Sequence, residues 1–172
     1  EFPYLYRAPK GYTEEEAIDY YIRKLTKLFD EAAPASDVAA ILVEPIQGEG
    51  GFIPAPIEWV KAVKKICDDN GILLIADEVQ CGNCRSGRYF ASEYWKDAGA
   101  APDIITTAKS MGGGAPISAI TARAEIMDAV PAGTIGGTYC GNPLACASAL
   151  KVMEIMKKED YAGKAQKIGK TV

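Results

Sequence analysis

Two residues stand out for the chemistry they could do. Lys109 follows the β-branched, strand-like segment Ile104-Ile105-Thr106-Thr107 and precedes Gly112-Gly113-Gly114, whereas Asp77 follows the apolar run Ile72-Leu73-Leu74-Ile75-Ala76. A lysine at the carboxyl end of a buried strand is open to desolvation, which disfavours the ammonium and frees the amine as a nucleophile or base. Such amines condense with carbonyls, the aldehyde of pyridoxal phosphate among them. A carboxylate beside that cofactor's ring nitrogen keeps the nitrogen protonated and the ring electron-withdrawing, and Asp77 has the chemistry for it. The glycines after Lys109 let the backbone pass close to a flat ring with no Cβ in the way. Spacing alone leaves two plainer readings open: a solvated loop lysine and a helix-capping aspartate.

The chain has no histidine. That removes Ser-His-Asp, Cys-His and His-ligated metal chemistry from these residues, and catalysis here must run on Lys, Asp, Glu, Tyr, Ser, Thr or Cys. The run Ile-Leu-Leu-Ile-Ala-Asp-Glu also suits a magnesium-supporting strand end, but no G-x-x-x-x-G-K-[ST] segment accompanies it. The dinucleotide fingerprint fails as well, because Gly48-Glu49-Gly50 continues Gly51-Phe52-Ile53. A net charge of −4 gives no basic footprint for nucleic acid. No apolar run reaches bilayer length, and the opening Glu-Phe-Pro-Tyr-Leu-Tyr-Arg lacks a signal-peptide core. Five cysteines, an odd number, point to free thiols in a reducing compartment. Cys81-Gly82-Asn83-Cys84 has C-x-x-C spacing, but with no second pair it reads as two loop thiols, leaving a thiol-redox or metal protein as the rival class.

The elements that must position Lys109 and Asp77 alternate. Thr13 followed by Glu14-Glu15-Glu16 predicts a capped helix with Ala17, Ile18, Tyr21, Ile22, Leu25 and Leu28 at helical spacing. Val38 to Val43 is a continuous apolar stretch, predicting a strand buried on both faces. A helix from Pro56 to Asp69, stopped by Asn70-Gly71, leads to the strand Ile72–Ala76. A helix is expected over Phe90–Ala98, strands over Ile104–Thr107 and Pro116–Thr121, and a long helix from Pro143 or Leu144 to about Lys158. This order predicts an α/β fold, a mostly parallel sheet with helices on both faces. Ligands of such sheets gather at the carboxyl ends of the strands, where Glu44–Gly51, Asp77–Gln80 and Lys109–Gly114 would lie.

Four segments carry a resemblance. Val-Glu-Pro-Ile-Gln-Gly-Glu-Gly-Gly (43–51), Ile-Ala-Asp-Glu-Val-Gln (75–80), Ala-Lys-Ser-Met-Gly-Gly-Gly-Ala-Pro (108–116) and Gly-Gly-Thr-Tyr-Cys-Gly-Asn-Pro-Leu-Ala (136–145) resemble, in order and spacing, the class III pyridoxal-phosphate-dependent aminotransferases. The resemblance implies part of the large, cofactor-binding domain of a fold-type-I enzyme. On it, residues 1–172 are the central portion of that domain, with the amino-terminal part and the carboxyl-terminal small domain outside them. It implies Lys109 as the Schiff-base lysine, Asp77 on the pyridine nitrogen, Val79 on a ring face and Gln80 near the ring hydroxyl. Thr138 matches the residue that binds the cofactor phosphate across a homodimer interface. Glu49 matches the acidic residue that helps 4-aminobutyrate-type members accept two substrates. Cys84 departs from the pattern, standing where a glycine is commoner. The implied activity is transfer of an amino group from an ω-amino acid such as 4-aminobutyrate to a 2-oxo acid such as 2-oxoglutarate, in the cytoplasm. Acetylornithine or ornithine aminotransferases and aminomutases share the motifs, and an inactive structural fragment is the non-enzyme alternative.

Overall fold

The computed structural model describes residues 1–171. Helix α1, Glu14–Glu31, starts as its sequence predicts: Thr13 Oγ1 accepts from Glu16 N–H, and Glu16 accepts from Thr13 N–H at 2.7 Å. Strand β1, Ala40–Val43, leads into a hairpin of β2, Ile46–Gln47, and β3, Ile53–Pro54. Helix α2, Ile57–Asn70, ends at Gly71, whose φ of 69° provides the left-handed turn that Asn70-Gly71 foretells. Strand β4, Leu73–Asp77, then β5, Ile104–Thr107, and β6, Ala119–Ala122, complete a four-stranded sheet in the order β1-β4-β5-β6. The first three strands are parallel and β6 is antiparallel to β5. The mostly parallel α/β class holds.

The core lies where α1 and α2 press on one face of that sheet. Ile18 and Tyr21 of α1, with Trp59, Val60, Val63 and Cys67 of α2, cover Ile41, Val43, Leu74, Ala76 and Ile105. These strand residues alternate with the others, as a period of two requires. The expectation that β1 is buried on both faces is corrected: Leu42, on the opposite face, is 61% exposed. β1 is an edge strand, and the helices packed on it meet only the side carrying Ile41 and Val43.

Other boundaries move for local reasons. Helix α3 is only Glu93–Asp97, and just ahead of it the N–H groups of Ala91 and Ser92 donate to the Glu78 carboxylate. β6 begins three residues after Pro116, whose missing N–H cannot join a ladder. Helix α5, Pro143–Lys158, matches its expectation and is capped by Asn142, which accepts from Leu144 and Ala145 N–H. A one-turn helix α4, Ala124–Met127, and helix α6, Tyr161–Gly169, were not foreseen; Gly163 and Gly169 inside α6 blur its helical pattern. Among the described residues no helix is long and apolar enough to cross a membrane.

Candidate functional site

Three parallel strands place three carboxyl ends along one edge of the sheet, and the marked residues collect there. β5 ends at Thr107, and a short 3-10 turn, Lys109–Gly112, follows. Lys109 occupies the left-handed region at φ 46°, which is unfavourable for a residue with a Cβ. Its Nζ donates to Oε1 of Gln80, three residues beyond the end of β4. The Gln80 side chain packs against Gly48 in the β2–β3 hairpin. A Cβ on Gly48 would stand 2.2 Å from Gln80 Nε2, so only glycine admits this approach. Gly48 N–H donates to Glu44 Oε2 at 3.0 Å, which holds the hairpin back against the end of β1. Lys109, Gln80, Gly48, Ile46 and Phe52 line one cavity of about 520 Å³. The expectation of a desolvated lysine is corrected, for Lys109 is exposed. The reason is its position on a turn past the strand end, outside the packed layer.

Asp77 closes β4 and sits in register with Thr106 of β5, so the two marked strands are direct neighbours. The carboxylate is half-buried and its Oδ1 accepts from Val79 N–H at 3.0 Å. That bond fixes one oxygen in a tight local turn and leaves Oδ2 for another donor. Asp77 lines a different cavity, of about 370 Å³, with Leu42, Val43, Glu44 and Gln47. Lys109 and Asp77 are thus on adjacent strands but line separate cavities. Val79 is half-buried and lines neither cavity. Glu49 is exposed in the hairpin turn and Thr138 is exposed in the loop before α5, and neither lines these two cavities.

Two residues that the sequence pattern did not mark as functional organise the site. Glu78 is fully buried. Its Oε1 accepts from Ser92 N–H at 2.5 Å, and its Oε2 accepts from Ala91 N–H at 3.0 Å and from the Cys81 thiol. One carboxylate therefore closes the loop that carries Gln80. Asn83, also buried, donates from Nδ2 to Thr107 Oγ1 at 3.0 Å and to Ala108 O at 3.4 Å. It joins that loop to the chain just ahead of Lys109. The signal available for Glu78 was an acid directly after a buried strand; Asn83 carried none.

The cysteines of the C-x-x-C segment are both buried free thiols. Burial pushes both thiols up, and for Cys81 the neighbouring Glu78 carboxylate adds to the effect. A thiol held in its protonated form is a poor nucleophile and a poor metal ligand. Among the described residues no three acidic or thiol side chains gather as metal ligands. Arg88 pairs with Asp97 at 2.8 Å and stacks on Tyr94, and so serves the loop and not the cavity.

An exposed amine hydrogen-bonded to an amide, over a glycine-floored apolar wall, suits the aldehyde and ring of a flat carbonyl cofactor. The model for aminotransferase class-III matches residues 2–172. The 5-aminovalerate aminotransferase DavT of Pseudomonas putida is 46% identical over 153 residues, covering 89% of this chain and 35% of that protein. The 4-aminobutyrate aminotransferase GabT of Escherichia coli is 45% identical over 166 residues, covering 96% of this chain and 37% of that protein. The crystal structure of a pyridoxal-phosphate-bound amine transaminase from an uncultivated Pseudomonas species superposes with a TM-score of 0.88 at 37% identity, over 99% of this chain and 39% of that one. The chain spans little more than a third of the length of these relatives. With its fold, its strand-end constellation and the match over residues 2–172 in agreement, the chain belongs to the class-III aminotransferase family.

Proposed function

We propose that these residues form the lysine-bearing part of a pyridoxal-phosphate enzyme that transfers an amino group from an ω-amino acid, such as 4-aminobutyrate, to a 2-oxo acid, such as 2-oxoglutarate. The observation that carries this reading is the Lys109–Gln80 hydrogen bond inside one glycine-floored cavity. Membership of the class supports the cofactor and the reaction class. The terminal amines named in the two related enzymes, 5-aminovalerate and 4-aminobutyrate, support the substrate.

Pyridoxal phosphate, when bound, supplies an aldehyde for amines and a protonated ring that withdraws electrons from the substrate carbon. Lys109 would hold that aldehyde through its amine, and the same amine would serve as the base that carries a proton at the substrate's amino-bearing carbon. Gln80 orients the amine through its amide oxygen. Asp77, its Oδ1 steadied by Val79 N–H, would use its other oxygen to keep the ring nitrogen protonated. Val79 packs against the ring. Thr138 binds the phosphate from a second copy in a homodimer, and Glu49 tunes acceptance of the two substrates from the hairpin turn. In this reading residues 1–172 are the central part of the large domain of a cytoplasmic enzyme.

The test is borohydride reduction of the cofactor-loaded full-length enzyme followed by peptide mapping. The adduct is expected on Lys109, and an adduct on any other lysine overturns the assignment. Lys109→Ala is expected to lower transamination by about 10²–10⁴-fold. Rates with 4-aminobutyrate and 5-aminovalerate should exceed those with acetylornithine and ornithine; the reverse order would favour the alternative substrate class.

A further inference from the structure

We infer that Asn83 is a positioning residue for Lys109, its side-chain amide holding the peptide plane on which the lysine's left-handed conformation turns. The inference rests on the reading of Lys109 as the cofactor-holding amine.

The φ angle of Lys109 is the rotation about its N–Cα bond, and the carbonyl of Ala108 belongs to the peptide plane that this rotation swings. Asn83 Nδ2 donates to that carbonyl oxygen at 3.4 Å and to the adjoining Thr107 hydroxyl at 3.0 Å. Ala108 O also accepts from Met111 N–H at 3.1 Å, so the carbonyl is held from the loop and from the turn at once. A lysine at φ 46° persists only where its surroundings over-determine it. The orientation of the Asn83 amide follows from its partners, because a flipped amide would set two carbonyl oxygens against each other.

The backbone of Asn83 is also built for this task. It lies at φ 52°, in the left-handed region that asparagine tolerates better than most residues. The residue is buried, at 5% exposure, and its amide spans 24 and 25 residues of sequence to reach Thr107 at the end of β5 and Ala108 just past it. The loop that carries it also carries Gln80, the partner of the Lys109 amine. Asn83 therefore fixes the base of the lysine while Gln80 holds its tip.

The experiment uses the full-length enzyme with Asn83→Gly and Asn83→Asp, each made with Lys109 present and again in a Lys109→Ala background. Glycine adopts the same backbone freely and removes only the amide; aspartate keeps the size but puts an acceptor where the donor was. Pyridoxal phosphate titration should show affinity lowered about fivefold to tenfold for both variants when Lys109 is present, the scale of one lost hydrogen bond. In the Lys109→Ala background the loss should vanish, because the effect acts through the lysine. The pH midpoint of the cofactor's visible band should move in Asn83→Gly, which a purely structural role would not cause. Equal losses in both backgrounds, or no loss with Lys109 present, overturn the inference. Peptide mapping of the reduced wild-type adduct is the separate check: an adduct away from Lys109 removes the reading beneath it, whatever the Asn83 variants do.

Discussion

Two loops carry proposed site residues, and they are built in opposite ways. Residues 78–92 hold Gln80 in a web of long-range bonds: Glu78 to Ala91 and Ser92, Asn83 to Thr107 and Ala108, and Gln166 to Gly87 O at 2.7 Å. Residues 129–142 hold Thr138, and every residue from 131 to 141 is exposed. The backbone bonds there reach only three residues, from Thr134 to Pro131, Cys140 to Gly137 and Asn142 to Tyr139. The first loop ties its buried carboxylate and the Asn83 amide nitrogen to partners within the chain, leaving Asn83 Oδ1 and Ser86 Oγ buried without one among the described residues, and the second turns its groups outward. Half of the proposed cofactor site is thus shaped by local burial, and the Thr138 half is shaped only by turns. That division suits a phosphate-binding residue offered to a second copy.

The comparison can be broken most sharply at Glu78. Glu78→Ala leaves the buried N–H groups of Ala91 and Ser92 without acceptors. Local opening of residues 82–92 should become easier by about 3 kcal/mol, read as faster amide exchange in the full-length enzyme. Unchanged exchange would mean that the loop does not depend on its carboxylate. Next is alkaline pH. Burial of Cys67 beneath β4 pushes its thiol up to about 11 from an ordinary 9.0. Above pH 9 the unfolded thiol ionises while the folded one stays protonated, so the unfolded state binds fewer protons and stability falls. By pH 11 the loss should be about 2–3 kcal/mol, with Cys81 adding in the same direction. Cys67→Ala should flatten that alkaline slope in a denaturation series. At the one anchored point of the second loop, Asn142→Ala removes the cap of α5 and should cost about 1 kcal/mol by the same measure. The smallest effect belongs to Thr138→Ala, expected within about 0.5 kcal/mol in stability while weakening pyridoxal phosphate binding. A large stability loss there would show that the exposed loop carries structure after all.

Much of the framework was legible. The capping box at Thr13, the Asn70-Gly71 stop and the helix start at Pro143 are local grammars, satisfied within a few residues of chain. The apolar run of β4 and the β-branched segment of β5 gave their strands away because central parallel strands need little else. What was not legible depended on neighbours. Leu42 has the same apolar character as Ile41, and only the packing of α1 and α2 on one side separates them. Lys109 was expected to be desolvated, and its turn past Thr107 leaves it exposed. Asn83 looked like an ordinary loop residue inside a C-x-x-C segment until the fold carried it to β5.

By itself the sequence determined the strand–helix alternation, the caps and breaks, and the ordered motifs around Glu49, Asp77, Lys109 and Thr138. These rest on periodicity, propensity and residue chemistry, all of which act over short stretches of chain. The tertiary structure alone decided that β4 and β5 are neighbours, that Gln80 meets Lys109 across 29 residues, and that Asp77 and Lys109 line separate cavities. The physical reason is that such pairings follow from how the helices pack the sheet, and the contacts that settle the packing lie far apart in the chain.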